Sequence, residues 1–177
     1  MGKKIVFLDR DGVINKLVER DGRMVSPRWL ADFEILPNVE SAVKLLRENN
    51  YEIVVVTNQP DISRGLMEIQ QLEKMNRVVL ALGIGSIRIC PHSDFDNCLC
   101  RKPKPGLMSD YLKSIGEIYS CAWMIGDEDR DEEASRNAGI PFIRILRDRE
   151  KTIETSIHQA ANLSEAVAFI LEQNKTC

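Results

Sequence analysis

The stretch Ile5-Val6-Phe7-Leu8-Asp9-Arg10-Asp11-Gly12 decides the reading of this chain. Four β-prone apolar residues in a row predict a strand buried on both faces, and Gly12 supplies the turn that ends it. An apolar strand that ends in two carboxylates one residue apart presents both at its mouth, a place for a metal and a nucleophile. Asp and Gly are also common turn residues, so the pair taken alone fits an ordinary solvated turn equally well. The rest of the chain has to decide.

Further strand-like runs fall at Tyr51–Thr57, Ser86–Cys90, Cys121–Gly126 and Pro141–Ile145, with helical spacing in most of the segments between them. Asn38 is read as the cap of a first helix that aligns Val39, Ala42, Val43 and Leu46, and Leu66, Ile69, Leu72, Val79 and Leu82 fit a second that ends at Gly83. Pro105 and Gly106 open a third with Leu107, Tyr111, Leu112 and Ile115 inward. Asp131–Ala138 reads as a fourth and Ser164–Gln173 as the last. Residues 146–160 read as charged loop, with a short edge strand near Ile157 to Ala160. This β-α alternation predicts a doubly wound, Rossmann-like α/β sandwich of three layers around a central parallel sheet. A single domain over residues 1–177 is the expectation from length, large enough to bury a core without disulfides.

A net charge of −3 with scattered basic residues argues against a nucleic-acid surface, which needs clustered Lys and Arg. The four apolar residues before Asp9 are too few for a signal peptide, and no run reaches membrane-spanning length. A cytoplasmic, monomeric protein with a small-molecule partner is expected, with neither nucleic acid nor membrane involved.

In an open parallel sheet, ligands bind beyond the carboxyl ends of the strands, so residues following each strand converge however distant in sequence. Those positions hold Asp9, Asp11, Thr57, Asn58 and Asp127. Mg²⁺ takes a few carboxylate oxygens and completes its octahedron with water and substrate phosphate, so Asp9, Asp11 and Asp127 are expected to anchor Mg²⁺. Lys102, at the start of a predicted helix, supplies a cation for the phosphate.

At this point the chain resembles the haloacid dehalogenase superfamily of phosphohydrolases. Asp9-Arg10-Asp11-Gly12, Thr57-Asn58-Gln59, Lys102, and Gly126-Asp127 followed by Asp131 are similar to its four motifs in order. The resemblance implies that Asp9 is the nucleophile that takes the phosphoryl group, and that Asp11 is the general acid that later activates water. It implies that Thr57 and Lys102 hold the transferring oxygens. Asp131 either supports the metal site through hydrogen bonds or favours the N-terminus of its helix.

A second motif, Cys90-Pro91-His92, five residues, then Cys98-Leu99-Cys100, offers three thiolates and an imidazole, a complete tetrahedral Zn²⁺ site with no open position. The competing reading is buried cysteines with a surface histidine. Against it, a short polar loop with Asp94, Asp96 and Asn97 has little means of burying three thiols. The zinc would fix the loop that delivers Arg101 and Lys102. Cys121, Cys177 and His158 carry no functional reading.

The zinc loop narrows the resemblance to a branch of small phosphatases acting on heptose 1,7-bisphosphate or histidinol phosphate. That implies a domain without a large cap and hydrolysis at the 7-phosphate of a heptose bisphosphate, with histidinol phosphate or another small monoester as the alternative. Loops at Asn15–Trp29, Pro60–Gly65 and Cys90–Lys104 would frame the leaving group, with Asn58, Gln59, Arg64 and Arg101 as substrate contacts. Three positions depart from the heptose pattern: Pro60-Asp61 for Ser-Gly, Val13 for Thr, and Glu128 for a Lys beside the metal-binding Asp. Rival readings are a catalytically silent phosphate- or zinc-binding module, and a nucleic-acid end phosphatase, the latter disfavoured by charge.

Overall fold

The computed structural model describes residues 2–116, 118–146 and 157–173. In chain order its elements are β1 (Lys3–Leu8), the short strands β2 (Val18–Arg20) and β3 (Arg23–Val25), α1 (Val39–Glu48), β4 (Tyr51–Asn58), α2 (Ile69–Ala81) and β5 (Ser86–Cys90). There follow α3 (Gly106–Ser114), β6 (Tyr119–Gly126), α4 (Asp129–Ala138), β7 (Phe142–Ile145), β8 (His158–Ala160) and α5 (Leu163–Gln173). Six strands form one sheet in the order β5-β4-β1-β6-β7-β8, all parallel.

Strand alternation divides the core. Val6 and Leu8 face α1 and α5 with Ile53, Val55 and Ile125, while Ile5 and Phe7 face α3 and α4 with Val54, Val56 and Met124. Both faces are covered, so β1 is apolar throughout and its residues Ile5–Leu8 are wholly buried. The chain winds from β1 to β4 and β5 on one side, then returns to β6, β7 and β8 on the other. The order therefore reverses at β1, and the crevice that this reversal opens lies beyond its carboxyl end, where Asp9 follows.

Several boundaries differ from the sequence reading. Asn38 adopts a left-handed φ of 64° and makes no side-chain cap; its carbonyl accepts instead from Ala42 N and Ser41 Oγ. Leu66 precedes α2 rather than joining it, because the Asp61 carbonyl receives both Leu66 N and Met67 N in a loop that turns at Gly65. The segment read as loop between Asn15 and Trp29 contains the β2–β3 hairpin, turned by Asp21 and Gly22, both with positive φ. The expected edge strand is β8, paired in parallel with β7. Residues 147–156 and Cys177 lie outside the described residues. Among the described residues no helix is long and apolar enough to cross a membrane.

Candidate active site

Four strand ends deliver the site. Asp9 follows β1, Thr57 and Asn58 close β4, Asp127 follows β6, and β5 leads through the cysteine loop to Lys102. Asp9, Thr57, Lys102, Asp127 and Asp131 are all at least nine-tenths buried.

Lys102 is the hub. Its Nζ lies 2.6 Å from Asp9 Oδ1, 2.6 Å from Asp131 Oδ1 and 2.8 Å from the Val56 carbonyl. The lysine backbone is held as firmly, since Asn58 Nδ2 donates to the Lys102 carbonyl (3.0 Å) and Lys102 N donates to Asn58 Oδ1 (3.1 Å). Asn58, expected to contact substrate, thus spends its amide on positioning Lys102, although it still lines the cavity.

Carboxylate oxygens of Asp9, Asp127 and Asp131 lie within 4.8 Å of one another. Three carboxyl groups here face the Lys102 ammonium, and Arg130 is near enough to interact with Asp131 and Asp9 as well. Burial raises the Asp9 carboxyl well above its usual range; Lys102 opposes the shift, and Asp131, Asp127 and Asp11 reinforce it. Burial would lower the Lys102 ammonium, but Asp131 and Asp9 override it and hold the group charged. Such an excess of buried oxygen-bearing negative charge fits a hard divalent cation. The turn after β1 is shaped to leave that space. Gly12 has a φ of +92°, and a Cβ there would collide with the Asp127 carboxylate.

Asp11, expected among the metal ligands, has its carboxylate elsewhere, and Asp131 is the third member of the group. The Asp11 oxygens accept from Arg10 Nη2 (3.1 Å to each), Asn15 Nδ2 (2.9 Å) and Gln59 Nε2 (2.7 Å). Gln59 also donates to Thr57 Oγ1 at 2.8 Å, so it links the two residues rather than reaching into open space. Arg10 is wholly buried, donates to Asn76 Oδ1 of α2 and sits 5.4 Å from the Phe33 ring centroid. Sequence reading passed over Arg10, Asn15 and Asn76, since polar residues at such positions look like solvated surface.

Asp131 meets both the start of α4 and Lys102. Its Oδ2 accepts from Asp127 N and Glu128 N at the start of α4, while Oδ1 meets Lys102. A Cβ on Gly126 would overlap the Asp131 side chain, so the glycine lets α4 approach this closely.

The cysteine loop gathers Cys90, His92, Cys98 and Cys100 into one cluster that could hold a metal. Cys90 Sγ is 3.6 Å from both His92 Nδ1 and Cys98 Sγ, His92 Nδ1 is 3.3 Å from Cys100 Sγ, and Cys100 Sγ is 3.5 Å from Cys98 Sγ. Ligands about 2.3 Å from a tetrahedral centre lie roughly 3.8 Å apart, so these spacings are close to those of a closed metal site. His158 instead stacks on Phe169 at 3.5 Å between centroids.

Over Asp9 and Asp11 opens a cavity of about 600 Å³ whose wall includes Arg20, Arg23, Arg28, Arg64, Arg101 and Arg130. Arg101 pairs with Asp94 (2.7 Å) and donates to the His92 carbonyl, and Arg64 reaches Asp61 and the same Asp94. Arg28 pairs with Asp61 at 2.6 Å. Glu128, also on the wall, forms an ion pair with Arg130, so a cation stands beside the position where a lysine was expected.

With this geometry in view, the likeness to known proteins is specific. A protein named D-glycero-beta-D-manno-heptose-1,7-bisphosphate 7-phosphatase, from Neisseria meningitidis, is 34% identical over 177 residues, covering 96% of this chain and 91% of that one. The histidine biosynthesis bifunctional protein HisB of Legionella pneumophila is 36% identical over 153 residues, which cover 82% of this chain but 42% of HisB. The crystal structure of D,D-heptose 1,7-bisphosphate phosphatase from B. bronchiseptica, complexed with magnesium and phosphate, matches with a TM-score of 0.81 and 25% identity over 96% of this chain and 99% of that one. The haloacid dehalogenase-like hydrolase family model matches residues 3–139, and the chain belongs to that family.

Proposed function

We propose that this enzyme is a phosphatase that hydrolyses a sugar bisphosphate, removing the 7-phosphate of D-glycero-D-manno-heptose 1,7-bisphosphate through an aspartyl phosphate on Asp9. The observation that carries the reading is the contact of Asp9 with Lys102 at the floor of an arginine-lined cavity. The relatives described above support the substrate.

An oxygen of Asp9 attacks phosphorus while Lys102 neutralises the transferring oxygens, and Thr57, tied to Gln59, donates its hydroxyl to them. Asp11 enters the step protonated on the oxygen that otherwise accepts from Gln59 and gives that proton to the departing sugar oxygen; the resulting carboxylate then takes a proton from the water that cleaves the acyl phosphate, which restores the acid. Asp9, Asp127 and Asp131 would hold Mg²⁺, which would supply charge neutralisation for a carboxylate approaching a phosphate. Cys90, His92, Cys98 and Cys100 would hold a structural Zn²⁺ with four protein ligands, which would stiffen the loop that carries Arg101 and Lys102.

The test is phosphate release from a panel of heptose 1,7-bisphosphate, heptose 7-phosphate and histidinol phosphate with added Mg²⁺. The bisphosphate should have the largest specificity constant, and Asp9→Asn should abolish turnover of all three. Preference for histidinol phosphate would reject the substrate, and wild-type turnover by Asp9→Asn would reject the mechanism.

A further inference from the structure

Four of the six arginines on the cavity wall already have a carboxylate: Arg28 has Asp61, Arg64 and Arg101 share Asp94, and Arg130 has Glu128. Arg20 and Arg23 have none among the described residues. They are directly opposite each other in the β2–β3 hairpin, on the two sides of its Asp21-Gly22 turn. Residues paired in this way share one face of the ribbon, with side chains near enough to interact. Asp21 is on the cavity wall too, yet it makes no ion pair with either arginine.

Like charges directly opposite in a two-stranded ribbon destabilise it, and so small a hairpin has little else to hold it together. A pair of guanidiniums kept in that register, over a catalytic cavity and without a counter-ion, is arranged for an anion that arrives from outside. We propose that Arg20 and Arg23 form the subsite for the second phosphate of the substrate, the anion on the leaving group distal to the bond that is cleaved. This rests on the phosphatase reading given above. Phosphate suits the site because two planar guanidiniums can each donate a forked pair of hydrogen bonds to its oxygens, and because the bound dianion removes the repulsion between them.

The hairpin thereby acquires a selective role. Arg101 and Arg64 are held by Asp94, whereas Arg20 and Arg23 carry no carboxylate partner among the described residues. A monoester leaves the arginine pair unbridged. A bisphosphate of suitable span bridges it and gains both affinity and orientation.

The experiment compares wild type with the double variant Arg20→Gln/Arg23→Gln and with Arg20→Lys/Arg23→Lys. The readout is the ratio of specificity constants for heptose 1,7-bisphosphate and heptose 7-phosphate. The glutamine variant should lower that ratio by roughly ten- to a hundredfold, the loss expected for charge-assisted contacts, and the lysine variant should restore part of it. Inhibition of p-nitrophenyl phosphate hydrolysis by fructose 1,6-bisphosphate and by fructose 6-phosphate gives a second ratio that needs no heptose. If wild type ignores heptose phosphates but its inhibition ratio collapses in the glutamine variant, the heptose assignment fails and the subsite stands. If wild type prefers heptose bisphosphate and neither ratio changes in the glutamine variant, the subsite is overturned and the heptose assignment stands. An equal loss on bisphosphate and monophosphate leaves the ratio unchanged and also overturns the subsite, reducing the hairpin to a structural part.

Discussion

Replacing Lys102 by Met removes the charge around which the site is built while keeping an unbranched side chain of similar length. In the wild type the ammonium lies 2.6 Å from each of two carboxylates, and its side chain is 2% exposed. Without it, Asp9 and Asp131 remain buried with Asp127 nearby and no cation among them, and the Val56 carbonyl loses its donor. Removing one partner of a buried ion pair costs about 3–5 kcal/mol. For a chain of this size that corresponds to a fall in Tm of roughly 6–20 °C. The sign with pH follows from Asp9, whose carboxyl is raised by burial even in the wild type. A raised carboxyl favours the folded state below its unfolded pKa, and that contribution is lost as pH rises through the folded value. Loss of Lys102 raises Asp9 further, so the deficit should be largest at pH 8 and shrink toward pH 5 as the carboxylates take up protons. The assay is thermal unfolding of metal-free protein at both pH values, repeated with Mg²⁺. The cation should recover a larger share of Tm in the variant than in the wild type, because it replaces missing positive charge. Equal Tm values for variant and wild type at pH 8 without Mg²⁺, or a deficit that grows on acidification, would refute the charge-balance argument.

Asp11→Asn should lower turnover of sugar phosphates by roughly a hundredfold to ten-thousandfold, the range for a lost proton transfer, and affect p-nitrophenyl phosphate less because its leaving group needs little protonation; steady-state rates on both substrates check this. Cys98→Ser removes one of the four side chains of the cluster proposed to hold zinc, so elemental analysis should find zinc in the wild type and its loss in the variant, with a raised KM as Lys102 and Arg101 shift with their loop. Glu128→Lys should free Arg130 of its partner and place a second cation on the wall, lowering KM for the bisphosphate by roughly tenfold, the worth of one charge-assisted contact; an unchanged KM would show that neither group meets substrate.

How much of this was legible in the sequence follows from what each feature depends on. The sheet was readable because strands covered on both faces must be apolar along their whole length, as Ile5–Leu8 and Ile53–Val56 are. Once β1 and β6 are placed, topology alone brings Asp9 and Asp127 together, and no side-chain detail is needed. The cysteine cluster was readable because three cysteines and a histidine at metal-ligand spacing lie within one short loop, which brings their side chains together. The β2–β3 hairpin carried its own signal, Asp21-Gly22 between Val18-Glu19-Arg20 and Arg23-Met24-Val25, a short-range pattern masked by the charged residues around it. What sequence could not give is which charge meets which. Asp11 and Asp131 are each near Asp9 along the chain or across the crevice, and its place directly after the first strand favoured Asp11 as the metal ligand. The decision belongs to Arg10, Asn15 and Gln59, which claim the Asp11 carboxylate and leave Asp131 to join Lys102. The same holds on the cavity wall, where six arginines are equivalent as letters. They become unequal only when Asp61, Asp94 and Glu128 have been assigned, and the two left over, Arg20 and Arg23, are those whose charge is available to a ligand.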